Sequence, residues 1–294
     1  IKNFTLENFV YVELGANLLT GCNPSYFKAT PSSNIGLDNY FEYIDDLESD
    51  DSGKLFLVQK KGSDDVFAVK VINKRLKSSD DKNNFLKEMI LSTRINYPVI
   101  DNVIGFSLKD FNNEDWPTVI TKHPGNISLK NAMKNANLSG TQKHIILLGT
   151  ALGMKYLHSE KIPLNSLTTN KIFLDEEFRP HIKYYGCHGE DIRENYKMDA
   201  RAFLLIAYEL ITGQPLKDKS NLQLIKDDKI REFFNKCLVS NNSIEFKDIL
   251  AEFTNEQYSQ LFESNDQEIA SYLKDFGITD LTIRIKFSYI YYNI

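Results

Sequence analysis

The sequence predicts an α+β fold in which a small, antiparallel β-rich part precedes a larger, mainly helical part. Short apolar runs separated by Gly53 and by a turn at Gly62 dominate Tyr40–Ile72, which is typical of strands joined by tight turns. Apolar residues at helical spacing dominate the chain that follows. The two patterns meet at Thr121–Gly125, which contains proline and glycine, as a hinge between two lobes would.

The first part is expected to contain short strands and one main helix. Its first three apolar runs predict an antiparallel meander, because they are short and separated by turn residues. A helix is predicted over 80–94, with Phe85, Met89 and Leu91 facing the core. The apolar runs that predict strands are Phe41–Leu47, Lys54–Lys60, Val66–Ile72, Val103–Leu108 and Thr118–Thr121.

The second part is expected to be mainly helical. Ser139 and Gln142 form a capping-box pattern ahead of a strongly apolar helix that runs to His158. Gly213 and Pro215 end another apolar helix. The further predicted helices are Ser128–Lys134, Asp199–Thr212, Ile230–Leu238 and Phe246–Phe253, and the predicted extended pieces are Lys171–Leu174 and His181–Lys183.

The composition excludes several classes of protein. The net charge of −5 lacks the basic excess with which proteins follow nucleic-acid phosphates, so no nucleic-acid partner is expected. Three distant cysteines without a C-x-x-C pattern predict neither a disulfide framework nor a metal site. No run is long enough for a membrane span. A reducing, cytoplasmic location is therefore expected.

Several motifs occur in an order and at spacings that one family shares. Val66–Lys70, read as V-F-A-V-K, is similar to the V-A-I-K strand, and Glu88 follows where the partner of that lysine belongs. Tyr156–Ser159 is similar to the segment before a catalytic loop, and Tyr208–Gly213 to a central helix of the second lobe. The chain over Phe41–Phe253 thus resembles a degenerate eukaryotic protein kinase domain of the tyrosine-kinase-like group.

The resemblance implies a bilobal protein-kinase-like fold with an N-lobe over 37–121 and a C-lobe over 122–253. Residues 1–36 are expected to be an N-terminal flank and linker, and residues 254–294 a C-terminal extension. Within the extension, Leu281–Tyr289 alternates apolar and polar residues and predicts a strand. We expect the uncharged aromatic end of the chain to pack against this domain, a partner or the rest of a longer protein.

The resemblance also implies a nucleotide-binding region that has lost contacts. Of the three loop glycines that let backbone approach ATP phosphates, only Gly53 remains, and acidic residues surround it. Thr121 occupies the gatekeeper position and Lys122 begins the hinge. Pro124 falls where adenine would need a backbone N–H, which proline lacks.

Three charged residues of the family pattern are still present. Lys70 and Glu88 could keep a residual nucleotide contact, or form a salt bridge that fixes the helix against the sheet. Asp199 is implied to be structural, tying the backbone of the catalytic loop.

The residues that perform phosphoryl transfer are missing from the matching positions. The base aspartate is replaced by Ser166, which cannot act as a carboxylate general base. The two metal-binding positions become Lys171 and Tyr184, neither of which is a ligand for Mg²⁺. A one-residue slip would restore Asn170 at the first metal position, but it would place Asn165, again not a carboxylate, at the base.

These losses predict a pseudokinase, a catalytically inactive kinase-like domain that acts as a protein-binding scaffold or regulatory module in signalling. The expected partners are proteins, such as an active kinase or its substrate. No cofactor or metal is expected, and any ATP binding should be weak and independent of Mg²⁺. The alternatives are a divergent Ser/Thr kinase or nucleotide-dependent transferase with residual activity, and a decayed or truncated kinase copy.

Overall fold

A computed structural model describes residues 37, 40–47, 53–92, 95–101, 103–112, 114–122, 127–164, 167–184, 192–239 and 244–278. The chain divides into two compact units. The β-rich unit comprises the described residues up to 96 together with 100–122 and 184, and the helical unit comprises 97–99, 127–183 and those from 192 onward. The predicted α+β class, with a β-rich part ahead of a mainly helical part, is therefore confirmed.

The β-rich unit is built on a five-stranded antiparallel sheet in the order β1-β2-β3-β5-β4. Strand β2 pairs with both β1 and β3, so the antiparallel meander predicted for the first three strands is confirmed. The strands are β1 (Phe41–Asp46), β2 (Gly53–Lys60), β3 (Val66–Ile72), β4 (Val103–Ser107) and β5 (Thr118–Lys122).

The two faces of this sheet pack against different residues. On one face, helix α1 (Ser79–Ser92) packs Phe85 and Met89 against Val103 and Val119. The opposite face, here called the outer face, carries a second apolar cluster. That cluster consists of Leu37, Phe41, Val58, Val69 and Ile120, with Tyr40, Phe56, Phe67, Ile104 and Phe111 packed against it.

The helical unit combines seven α-helices, a 3-10 helix over Lys219–Leu224 and one small sheet among its described residues. The strands β6 (Ile127–Ser128), β7 (Ile172–Leu174) and β8 (Pro180–Ile182) form a three-stranded antiparallel sheet. The helices are α2 (Leu129–Asn135), α3 (Gly140–Ser159), α4 (Ile192–Thr212), α5 (Asp228–Phe234), α6 (Phe246–Phe253), α7 (Glu256–Phe262) and α8 (Asp266–Lys274).

Helix α3 is the centre of the helical unit. Its predicted capping box is confirmed: the Ser139 hydroxyl accepts the Gln142 N–H, and the Gln142 side chain accepts the Ser139 N–H. Most of its side chains from Ile146 to Met154 are buried, and it packs on α6, α7, α8 and β8. A Cβ atom at Gly140 would fall on the Phe262 carbonyl, so glycine is required where α3 approaches the end of α7.

Two expectations about the helices need correction. Helix α4 begins at Ile192 rather than at Asp199, because residues 192–198 are helical although they lack the apolar spacing that marks the rest of the helix. Ile230–Leu238 is not one regular helix, since α5 gives way to a π-helical turn over Asn235–Val239. The predicted strand at Leu281–Tyr289 lies outside the described residues.

Candidate functional site

In the β-rich unit, the lysine of β3 is placed inside the sheet. Lys70 pairs with Leu55 of β2 and Val119 of β5, and its side chain is almost fully buried. It shares the α1 face of the sheet with Val119, because paired residues of adjacent strands point the same way. Glu88 lies half-buried on α1, which packs on that same face.

The two described positions at the end of β5 differ in exposure. Thr121 is fully buried, and its hydroxyl lies 3.5 Å from the Ala68 carbonyl oxygen of β3. Lys122 is exposed and pairs with Phe67. Pro124, which was expected to remove an adenine hydrogen bond, lies outside the described residues.

Gly53 has a structural reason to be glycine. Its φ angle is +156°, and a Cβ atom there would fall on the carbonyl oxygen of Val71 on the neighbouring strand. Strand β2 could not start so close to β3 with any other residue. The retained glycine therefore serves the pairing of two strands, whatever it contributes to a ligand.

In the helical unit, Lys171, which is expected at a metal-binding position, pairs through its backbone with Lys183. Lys171 is half-buried, and its carbonyl accepts the backbone N–H of Lys183 at 2.8 Å. Lys183 is fully buried, with its Nζ atom 5.0 Å from the centre of the Phe173 ring. An ammonium group has donors but no lone pair for a cation, so this strand pair cannot supply metal ligands from these side chains.

Lys183 was missed at the sequence level. It directly precedes Tyr184, and its burial follows from its place at the end of β8 beside the start of β7. Tyr184, which is expected at the position of a metal-binding aspartate, is 1% exposed and is therefore a large core side chain. Ser166 lies outside the described residues.

Asp199 joins two parts of the helical unit. Its Oδ2 atom accepts the Leu164 backbone N–H at 2.8 Å and lies 3.0 Å from His158 Nε2. Tyr196 stacks on the His158 ring, and its hydroxyl donates to the His158 carbonyl. Burial and the Asp199 charge raise the pKa of Tyr196, so this phenol stays neutral. The carboxylate thus holds the chain after α3 against α4.

The early start of α4 shortens the connection before it. Only residues 185–191 separate Tyr184 from the first residue of α4. In active kinases the corresponding stretch carries the activation loop and the A-P-E motif, for which seven residues leave no room.

Two kinds of feature are absent from the part of the chain that the structure describes. No group of three or more His, Cys, Asp or Glu side chains in it is placed to hold a metal ion. None of its helices is both long enough and apolar enough to cross a membrane.

Comparison with known proteins identifies the same family as the sequence motifs, that of the protein kinase domain. The model of the protein kinase domain matches residues 42–275. One relative is a leucine-rich repeat receptor-like serine/threonine-protein kinase of Arabidopsis thaliana, with 25% identity over 55% of this chain. The alignment covers 17% of that relative, so this chain corresponds to a small part of its length.

Proposed function

The chain belongs to the protein kinase domain family, and we propose that it is a pseudokinase that binds other proteins instead of transferring phosphate. The observation that carries the proposal is that Lys171 and the fully buried Tyr184 stand at the two positions where the resemblance implies metal ligands, and neither offers the carboxylate or amide oxygen that Mg²⁺ prefers. Phosphoryl transfer depends on metal ions that neutralise charge on the phosphates. Without those ligands, the domain is not expected to bind a metal–nucleotide complex.

The short connection before α4 supports the same conclusion from the side of the substrate. Kinases control access and substrate placement with an activation loop between the D-F-G and A-P-E motifs. Only seven residues separate Tyr184 from Ile192, so this chain lacks the length for an activation loop followed by an A-P-E motif. Loss of the base or of the metal ligands alone usually costs orders of magnitude in activity, and here the resemblance implies that both are missing together with this segment.

The proposed role is that of a scaffold or regulatory module in signalling. Its partners would be proteins, such as an active kinase or the substrate of one, and its sequence group would be the tyrosine-kinase-like kinases. We propose a cytoplasmic location and no required cofactor, with any ATP binding weak and independent of Mg²⁺. The retained strand pairing at Gly53 and the Asp199 contacts favour a folded module over a decayed copy.

One alternative is that the domain is still an enzyme. Buried Lys70 and half-buried Glu88 are both still present, and a divergent kinase or nucleotide-dependent transferase could use lysines in place of the metal charge. That alternative requires nucleotide binding without Mg²⁺, which the following measurement detects.

Thermal unfolding of the full chain with and without millimolar ATP, each with and without Mg²⁺, tests the proposal. A ligand at 100 times its Kd stabilises a protein by about 2.7 kcal/mol, which raises Tm by several degrees at about 2–4 °C per kcal/mol. We expect no shift in any condition. A shift without metal that Lys70→Ala abolishes would support the transferase alternative, and a shift that requires Mg²⁺ would contradict the proposal.

A further inference from the structure

The outer face of the β-rich unit carries an open cavity of about 950 Å³. We call it the aromatic groove. Its walls include Phe41, Tyr43, Phe56, Phe111 and Trp116, together with Lys54. A volume of this size lies at the upper end of the range of about 300–1,000 Å³ that is typical of ligand pockets.

The aromatic groove is separate from the positions that resemble a nucleotide site. Phe56 pairs with Val69 of β3, and Tyr43 pairs with Val58 of β2. Val58 and Val69 belong to the outer-face cluster, whereas Lys70 points to the opposite face. A ligand in the groove would therefore not occupy the place of ATP.

One wall of the groove is held by solvent-exposed contacts around Trp116. The Arg75 guanidinium lies 4.7 Å from the centre of the Trp116 ring, and the indole N–H donates to Glu114, which also pairs with Arg75. The Asp110 carboxylate accepts the backbone N–H groups of Asn112 and Glu114 at 2.9 Å each, which closes the loop between β4 and β5. A fixed aromatic wall loses little conformational entropy when a ligand binds.

The described chain begins on this same face. Leu37 is 1% exposed and forms part of the cluster on which Phe56 and Phe111 pack. The preceding segment Phe4–Leu14 reads F-T-L-E-N-F-V-Y-V-E-L, which is rich in aromatic and apolar residues and contains no lysine or arginine. Lys54 and Asp110 both line the groove, so the match with this segment rests on its aromatic and apolar side chains and not on net charge.

We infer that Phe4–Leu14 docks in the aromatic groove of its own chain, with Phe9 and Tyr11 as the anchoring side chains. These two residues are two apart, so in an extended segment they point the same way. The 22 residues between Leu14 and Leu37 span up to about 70 Å when extended, so reach does not limit docking. The tether gives the segment a high effective concentration at the groove.

Docking into the groove is favoured over addition of a strand to the edge of the sheet. Strand β1 is an edge strand, but its register with β2 shifts between Tyr43 and Asp45. A bulge and the exposed acids Glu42, Asp45 and Asp46 are features that block pairing at an edge.

The single tryptophan of the chain makes the proposal measurable. Trp116 is the only tryptophan and lines the groove, so its emission and its quenching by acrylamide report whether the groove is covered. In the full chain, Phe9→Ser/Tyr11→Ser should shift the emission to longer wavelength and increase quenching. The matched variant Tyr26→Ser/Phe27→Ser, which changes the same residue types in the same flank, should leave both unchanged.

A second pair of variants tests the wall of the groove. Tyr43→Glu and Ile44→Glu are neighbours on β1 that are 62% and 43% exposed, but only Tyr43 lines the groove. Tyr43→Glu should reproduce the fluorescence change and Ile44→Glu should not. A synthetic Phe4–Leu14 peptide added to the Phe9→Ser/Tyr11→Ser chain should reverse the change, and a scrambled peptide should not.

Three results would overturn the inference. The first is unchanged fluorescence in Phe9→Ser/Tyr11→Ser, which would leave the groove to another partner. The second is an equal change in the Tyr26→Ser/Phe27→Ser control. The third is loss of the covered signal on dilution of the unaltered chain, which would mean that a second copy supplies the segment. None of these depends on whether the domain binds ATP, so the proposed function is tested separately.

Discussion

In the β-rich unit the lysine of β3 is buried in the sheet, whereas in the helical unit two lysines are joined through their backbones beside β7 and β8. Lys70 keeps its place between β2 and β5. Lys171 and Lys183 form a backbone-linked pair at the start of β7 and the end of β8. In the proposed function, Lys70 is a residue that the family pattern keeps, and Lys171 is one that replaces a metal ligand.

The comparison indicates that residues of the family pattern are kept where neighbouring atoms in the fold require them. Gly53 in the β-rich unit and Asp199 in the helical unit both have close neighbours that require them. The positions where the resemblance implies metal ligands carry other side chains, Lys171 and the buried Tyr184. We expect the retained residues to matter for folding, and the replaced ones to resist restoration wherever they now pack in the core.

The largest effect is expected at Tyr184. Tyr184→Asp restores the residue type of the family, but it would place a carboxylate at a site that is 1% exposed and leave a cavity behind. Burial of a charge and loss of a large aromatic side chain each destabilise by several kcal/mol, so we expect a loss of about 4 kcal/mol or more. Denaturant unfolding monitored by circular dichroism measures it.

Tyr184→Phe is the matched control for this substitution. It keeps the ring and removes only the hydroxyl, so a loss of no more than about 1–2 kcal/mol is expected. A Tyr184→Asp protein as stable as the Tyr184→Phe protein would show that the position is not part of the core. It would also show that an aspartate can be placed at this position at no cost to the fold.

A smaller but substantial effect is expected at Asp199. Asp199→Ala leaves the Leu164 N–H and the His158 imidazole without their acceptor in a buried site. Hydrogen bonds to a charged group contribute about 1.5–3 kcal/mol each, so a loss of about 2–4 kcal/mol is expected. Thermal unfolding of the variant measures it.

Lys171→Asn supplies the contrast, because it changes a replaced position to the family residue without touching the Asp199 contacts. Its main-chain bond to Lys183 does not depend on the side chain, so we expect a change below about 1 kcal/mol. Equal losses in Asp199→Ala and Lys171→Asn would remove the distinction between retained and replaced positions.

Most of the fold could be predicted because local patterns determine it. The boundaries of β3 and α6 agree with the prediction at both ends, since alternation and helical spacing mark them clearly. The first two turns of α4 were missed because their residues are mostly polar, and only the Asp199 and Tyr196 contacts reveal their place. Helices α7 and α8 are short, and their burial depends on the surface of α3.

The candidate site was less predictable, because its contacts join distant residues. His158 and Asp199 are 41 residues apart, and their contact depends on how α3 and α4 pack. Spacing placed Lys171 at the metal position, but it could not show that β8 brings Lys183 beside it. The aromatic groove depends on the register of three strands and on a loop, and no local pattern marks it.

The smallest effect is expected at Glu252 on α6, where a partly buried carboxylate lowers the stability of the folded protein. Burial and the nearby negative charge of Asp227 raise the pKa of Glu252 on α6. A carboxyl whose pKa is higher in the folded protein contributes stability below its unfolded pKa of about 4.3. That stability is lost as the pH rises through the folded value. Glu252→Gln should therefore increase stability at pH 7, by less than about 1 kcal/mol because the side chain is partly exposed to solvent.

The pH profile separates this effect from a simple change in packing. The advantage of Glu252→Gln should shrink as the pH falls towards 4, where the native carboxyl is also neutral. Asp227→Asn removes the neighbouring charge, and an asparagine can still accept the Ile230 N–H that Asp227 accepts at 2.9 Å at the start of α5. Asp227→Asn should therefore weaken the pH dependence of the stability difference between the unaltered chain and Glu252→Gln. An advantage of Glu252→Gln that stays constant from pH 4 to pH 7 would mean that packing, and not ionisation, distinguishes the two side chains.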